Sequence, residues 1–135
     1  MALHGKHDRP QTTDISNVMN EWPDSWAGID EDKLVGYEMV EVLRPFIRYL
    51  QQQNYSSRTI RRHCTNLWLI GGEIIRHLHF TPSLRKKSGR NLIIDAVQDG
   101  EAPLVLHLTE SEQAALDASA RKLQRFLSKG NPKGT

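Results

Sequence analysis

SSRTIRRHCTNLWLIGGEIIRHLH, residues 56–79, is the stretch around which the rest of the chain is organised. Ile60, Cys64, Leu67, Gly71, Ile74 and Leu78 recur at spacings of four, three, four, three and four, so they share one face of an α-helix. The pattern predicts a helix buried along that face. Ser56 or Ser57 supplies a side-chain oxygen to cap the free amides of the first turn, and Phe80-Thr81-Pro82 ends the helix, because proline disfavours α geometry in the residue before it. Arg58, Arg61, Arg62 and Arg76 lie off the apolar stripe and leave the outer side positive.

Upstream, Asp30, Glu31 and Asp32 put negative charge where a helix macrodipole favours it, opening a helix expected from about Glu31 to Gln53. Its apolar positions are Leu34, Val40, Leu43, Phe46, Ile47 and Leu50. Pro45 removes a backbone hydrogen bond and crowds the carbonyl four residues back, which predicts a kink or a break into two helices near Val42 to Arg44. Asn54 and Tyr55 form the link, giving an αα-hairpin whose second arm is the basic helix. Gly71-Gly72 weakens that arm, and close approach of another helix is the physical reason to tolerate it.

Downstream, Pro82 to Arg90 reads PSLRKKSGR, with four cations and no acid. Asn91 to Val97 is too short for its period to separate helix from strand, and Ala102 to Leu108 is expected to be extended over the core without forming a sheet. Thr109 and Glu112 form a capping box for a last helix over Glu110 to about Ser128, with Leu116, Ala120, Leu123 and Leu127 as its stripe and Phe126 beside it. Arg121, Lys122 and Arg125 ride on its exposed faces; Gly130 and Pro132 stop it. At the other end, residues 1–20 have little apolar content and read as mostly disordered. In EWPDSWAG, Trp22 and Trp26 fall on one side of a helical turn, where they dock on the domain or serve as a partner-binding pair.

Composition bounds the rest. The 135 residues, 38% hydrophobic and 25% charged, fit one small domain with a modest core. The organisation expected is an acidic, largely flexible arm over 1–29, a helical domain over 30–128 and a flexible tail over 129–135. A single cysteine excludes an internal disulfide, and Cys64 on the apolar face reads as a buried thiol. No apolar run approaches the roughly 20 residues that span a bilayer, and the start has no apolar signal core; the expected location is the cytoplasm, with no membrane partner. The net charge of +2 hides a strong asymmetry. Residues 1–33 carry three Lys or Arg against seven Asp or Glu, whereas residues 55–90 carry eight against one. Such a local cluster attracts polyanions whatever the total charge.

Three features carry a family resemblance: Tyr49-Leu50 ending the first hairpin arm, Ser56 to Thr59 opening a basic second arm after the short Asn54-Tyr55 turn, and Leu108-Thr109-Glu110-Ser111-Glu112 before the last helix. In this order they resemble the SAM-like core-binding domain of phage-type integrases, the tyrosine recombinases, and the Leu-Thr-x-x-Glu segment that opens the family's catalytic domain. The resemblance implies an all-α helical bundle built on a SAM-like hairpin, and DNA as partner. The family's catalytic arginine, lysine, His-x-x-Arg box and tyrosine nucleophile follow that segment, whereas this chain ends at Thr135 and has no His-x-x-Arg. The family's second helical pair is shortened to Asn91 to Val97.

Other chemistry leaves little trace: there is no Gly-rich phosphate loop, Cys-x-x-Cys or His-Glu-x-x-His. His4 and His7 are a weak metal pair, His77 and His79 fall on different helix faces, His63 is expected to face solvent, and His107 reads as a structural histidine. The reading is therefore a DNA-binding protein, not an enzyme, with no cofactor, contacting phosphates through Arg58, Arg61, Arg62, Arg85, Lys86, Lys87 and Arg90. Two alternatives stand beside it. One is a protein-interaction or self-associating module using Trp22 and Trp26 or the last helix; the other is a truncated recombinase remnant.

Overall fold

The computed structural model describes residue 15 and residues 17–130. All regular structure among them is helical: α1 (Trp22–Trp26), α2 (Asp30–Gln52), α3 (Ser57–Phe80), a 3-10 turn (Pro82–Lys86), α4 (Gly89–Val97) and α5 (Glu110–Gly130). Residues 15 and 17–19 are helical as well, just before α1. The protein is a small all-α bundle in which α2, α3, α4 and α5 pack around one core.

The α2–α3 hairpin is its centre. Ser56 caps α3, its Oγ accepting from the Thr59 amide at 3.1 Å, and all six residues of the predicted stripe are buried, joined by Ile70 and Ile75. The turn is made by Asn54, whose φ of 64° lies in the left-handed region that asparagine tolerates better than most residues. On α2 the buried stripe is Val35, Met39, Val40, Leu43, Phe46, Ile47 and Leu50. Leu34, expected in the core, is 69% exposed.

The expected break at Pro45 does not occur: α2 is continuous from Asp30 to Gln52. Pro45 and Glu41, whose carbonyl loses its helical donor, both lie on the exposed side of α2. Water can satisfy that carbonyl, and the buried stripe on the opposite side holds the helix together.

The region before α2 also departs from expectation. Ile15, Met19 and Trp22 belong to the same buried cluster as the hairpin, so the described part of residues 1–29 is packed on the domain and is not a flexible arm. Residues 1–14 and 16, including His4 and His7, lie outside the described residues, as do residues 131–135 of the expected tail. The close approach at Gly71 comes from an aromatic ring. The Trp26 indole lies where a Gly71 side chain would stand, its Cη2 only 2.6 Å from an added Cβ.

Residues 91–97 resolve as helix, within an α4 capped by Ser88 Oγ on the Asn91 amide at 3.1 Å. Gly89 at its start leaves no room for a side chain against the α2 backbone, where a Cβ would stand 2.9 Å from the Met39 nitrogen. The 102–108 segment is irregular and crosses the core without a sheet. Its Val105 is buried, and the Val105 and Ala102 amides donate to Gln113 Oε1 and Asp117 Oδ1. The capping box forms in both directions: Glu112 N–H donates to Thr109 Oγ1 at 3.0 Å and Thr109 N–H to Glu112 Oε1 at 2.9 Å. Helix α5 then runs to Gly130, with Leu116, Ala120 and Leu123 fully buried.

Candidate nucleic-acid interface

Arg58, Arg61 and Arg62 are all exposed on the first turns of α3, as their off-stripe positions require. The helix nevertheless divides them. Successive residues are turned about 100° apart, so Arg61 points to the side occupied by α1 and lines a groove with Trp22, Cys64 and Trp68. Arg62 lies on the side of α5, near enough to His63 to act on it together with Lys122.

Lys122 joins α5 to this surface. Its Nζ donates to the Tyr55 hydroxyl at 3.0 Å and sits 5.2 Å from the centre of the Tyr55 ring, in the hairpin turn just before α3. Arg125 and Lys129 continue along the same face of α5, flanking a groove of about 280 Å³ with Tyr49 and Phe126. Among the described residues, Arg58, Arg62, Arg125 and Lys129 make no ion pair. The positive surface is thus built from the start of α3 and the last turns of α5. Spacings of three and four place Lys122, Arg125 and Lys129 on one α5 face in the sequence. No sequence signal sets that face beside Arg62.

The basic loop does not join them. Helix α3 has 24 residues, so its ends are about 36 Å apart, and the loop follows its far end. Two of the loop's four cations are also engaged there by acids outside the loop. Arg85 makes a two-point ion pair with Asp32, Nε to Oδ1 at 2.9 Å and Nη2 to Oδ2 at 3.2 Å. Asp32 is fully buried, and His79 Nε2 lies 3.6 Å from the same Oδ2. Lys87 Nζ meets Asp95 Oδ2 at 2.6 Å. Lys86 stays exposed, while Arg90 is half-buried between α4 and α5. Of the seven cations expected as one patch, Arg58, Arg61 and Arg62 therefore stand at the start of α3, Arg85, Lys86 and Lys87 beyond its end, and Arg90 beside the last turns of α5; Arg85 works as a structural clamp on the start of α2.

His63 does not face solvent as expected. It is half-buried between α3 and α5, with Nδ1 2.8 Å from Ser119 Oγ, and Asn66 Nδ2 donates to the same hydroxyl at 2.8 Å. With neutral His63 accepting at Nδ1, the Ser119 hydroxyl donates to it and accepts from Asn66, so the trio is satisfied. Burial, then Lys122, then Arg62 lower the His63 pKa. A serine beside a histidine resembles a nucleophile pair, but Ser119 is fully buried and cations, not a carboxylate, flank the imidazole. The trio is a polar clamp between two helices. His107, read as a structural histidine, is exposed. The Cys64 thiol is buried and its pKa is pushed up to about 12 by desolvation, which keeps it protonated and unreactive at neutral pH.

Trp22 and Trp26 dock on the domain, the first of the two roles expected for them. Trp22 is 5% exposed and Trp26 is half-buried over Gly71, so neither presents an open aromatic surface. Trp26 Nε1 donates to the Trp68 carbonyl at 3.0 Å, and Trp68 Nε1 to Ser25 Oγ at 2.9 Å, which staples α1 to α3. Trp68 is the exposed tryptophan, at 39%. It flanks the buried stripe, four residues after Cys64 on the same side of α3.

The chain matches no family model, no curated protein and no solved structure. The integrase resemblance rests on its short motifs alone. Among the described residues no three His, Cys, Asp or Glu side chains gather as a metal-binding group, and no helix is long and apolar enough to cross a membrane.

Proposed function

We propose that the chain is a DNA-binding module that grips phosphates with the surface shared by α3 and α5. The observation that carries this reading is the convergence of Arg58 and Arg62 with Lys122, Arg125 and Lys129 around the hairpin turn. Arginine suits the task because its planar donors engage two phosphate oxygens at once, while the lysines add charge that tolerates imprecise geometry. Tyr55 fixes the Lys122 ammonium at the boundary between the two helices. The integrase-like hairpin motifs support the same reading, since the resemblance implies DNA as partner. Lys86, beyond the far end of α3, belongs to a secondary contact, while Arg90 borders the last turns of α5.

The test is a titration of the protein with a short labelled duplex at several salt concentrations. Each phosphate contact contributes about 0.9 to the slope of log affinity against log salt, so replacing Arg58, Arg62 and Lys122 by alanine is expected to reduce that slope by about 2 to 3. Replacing Lys86 by alanine is expected to leave it nearly unchanged. Equal affinity and slope in the triple variant would remove the proposed surface. A second reading, a protein-interaction module, is favoured by one separate observation: the apolar groove between the start of the described chain and α3.

A further inference from the structure

That groove has a volume of about 510 Å³ and two helical walls. One wall carries Val18, Glu21 and Trp22; the other is α3, with Arg61, Cys64 and Trp68. Two of its apolar side chains stand in solvent, Val18 at 50% and Trp68 at 39% exposure. Each wall also carries one exposed charge of opposite sign. Among the described residues neither Glu21 nor Arg61 makes an ion pair, with the other or with any other residue.

We infer that this groove is a self-association face, on which a second copy of the chain packs about a two-fold axis. Under two-fold symmetry a residue on one wall meets a residue on the opposite wall of the partner, and the reverse contact follows automatically. A face with Glu21 on one wall and Arg61 on the other is then complementary to itself: each carboxylate meets a guanidinium, twice per dimer. A single small anion would satisfy Arg61 and be repelled by Glu21. A partner bearing one charge sign would likewise meet a like charge on one wall. The exposed Val18 and Trp68 supply the ridges that enter the grooves of the other copy, as in ridge-into-groove helix packing, and exclude water from the two charge pairs. The hydrogen bonds from Trp26 to Trp68 and from Trp68 to Ser25 hold the two walls in place before association, so little ordering is required. This inference does not rest on DNA binding, because Arg62 and Lys122 lie on the other side of α3.

Sedimentation of the full chain from about 1 μM to about 500 μM covers the range of weak, transient interfaces. The expected result is a reversible monomer–dimer equilibrium. Glu21→Arg and Arg61→Glu place like charges opposite each other, and each is expected to weaken dimerisation at least tenfold. An equimolar mixture of the two variants restores opposite charges at both contacts, so a heterodimer of near-native affinity is expected. Val18→Asp, at an exposed position that leaves the core intact, is expected to abolish association. A chain that stays monomeric at every concentration overturns the inference. A dimer indifferent to all three variants places association elsewhere and overturns it too. A monomer that instead binds anilinonaphthalene sulfonate, with binding lost in Arg61→Glu, reassigns the groove to an apolar anion and equally overturns it.

Discussion

Two adjacent glycines show how sharply one residue's surroundings decide its role. Gly71 and Gly72 are indistinguishable in the sequence as helix-weakening residues, yet the Trp26 indole occupies the space of a Gly71 side chain, whereas an added Cβ at Gly72 stands 3.6 Å from that ring, at ordinary contact distance. Alanine at 71 forces the ring off α3 and breaks its hydrogen bond to the Trp68 carbonyl. The expected cost is about 1–3 kcal/mol, the range for overpacked cores. Alanine at 72 removes only the conformational freedom of glycine and is expected to stabilise by about 0.5–1 kcal/mol. Urea denaturation of the two variants checks both signs. Equal effects would mean that Trp26 does not pack where the geometry puts it.

At the level of elements, α2 shows that an interior proline need not break a helix whose opposite side is buried. Pro45 does lack an amide donor, but 23 residues of helix continue through it because the opposite side is buried from Val35 to Leu50. The penalty is paid inside an intact helix, so Pro45→Ala is expected to raise stability, by up to about 3 kcal/mol, without changing helix content. Thermal melts followed by circular dichroism test this, and a gain in helical signal together with stability would mean that α2 is broken in the native chain. The capping signals behaved differently. Ser56, Ser88 and the Thr109–Glu112 box lie within four residues of the groups they bond, so nothing distant could alter them. Residues 91–97 were undecided in the sequence because seven residues hold too few turns to fix a period, and the Ser88 cap settles them as helix.

On the scale of the whole molecule, the seating of α5 on the hairpin depends on His63, Asn66 and Ser119, and this makes stability sensitive to pH. His63 is half-buried beside the Ser119 hydroxyl and the Tyr55 ring, and burial, then Lys122 and Arg62, disfavour its protonated form. Its folded pKa is lowered, so below the ordinary imidazole value of 6.5 the unfolded chain binds more protons than the folded one. Stability is therefore expected to fall as pH drops through 6.5 and to stop falling, as far as His63 is concerned, below its depressed folded value. His63→Gln, which keeps a hydrogen-bonding side chain but does not titrate, is expected to show a smaller loss of melting temperature between about pH 8 and pH 5.5. Identical losses in both proteins would show that His63 is not the group responsible.

The helical hairpin, the buried face of α3, the link at Asn54-Tyr55 and the caps of α3 and α5 are legible in the amino-acid sequence. Each of these depends on residues within a turn or two of one another, and helical period and hydrogen-bond reach act over that distance whatever the rest of the chain does. Which charges become neighbours follows from how the helices pack. That packing carried Asp32 to Arg85, 53 residues apart, and Asp95 to Lys87, withdrawing two cations from the loop that looked most basic. It brought Lys122 to Tyr55 across 67 residues, and it set the segment carrying Trp22 beside Arg61. These pairings depend on the angle and register at which helices pack, which are set by the fit of whole buried faces and leave no periodic mark on the exposed residues.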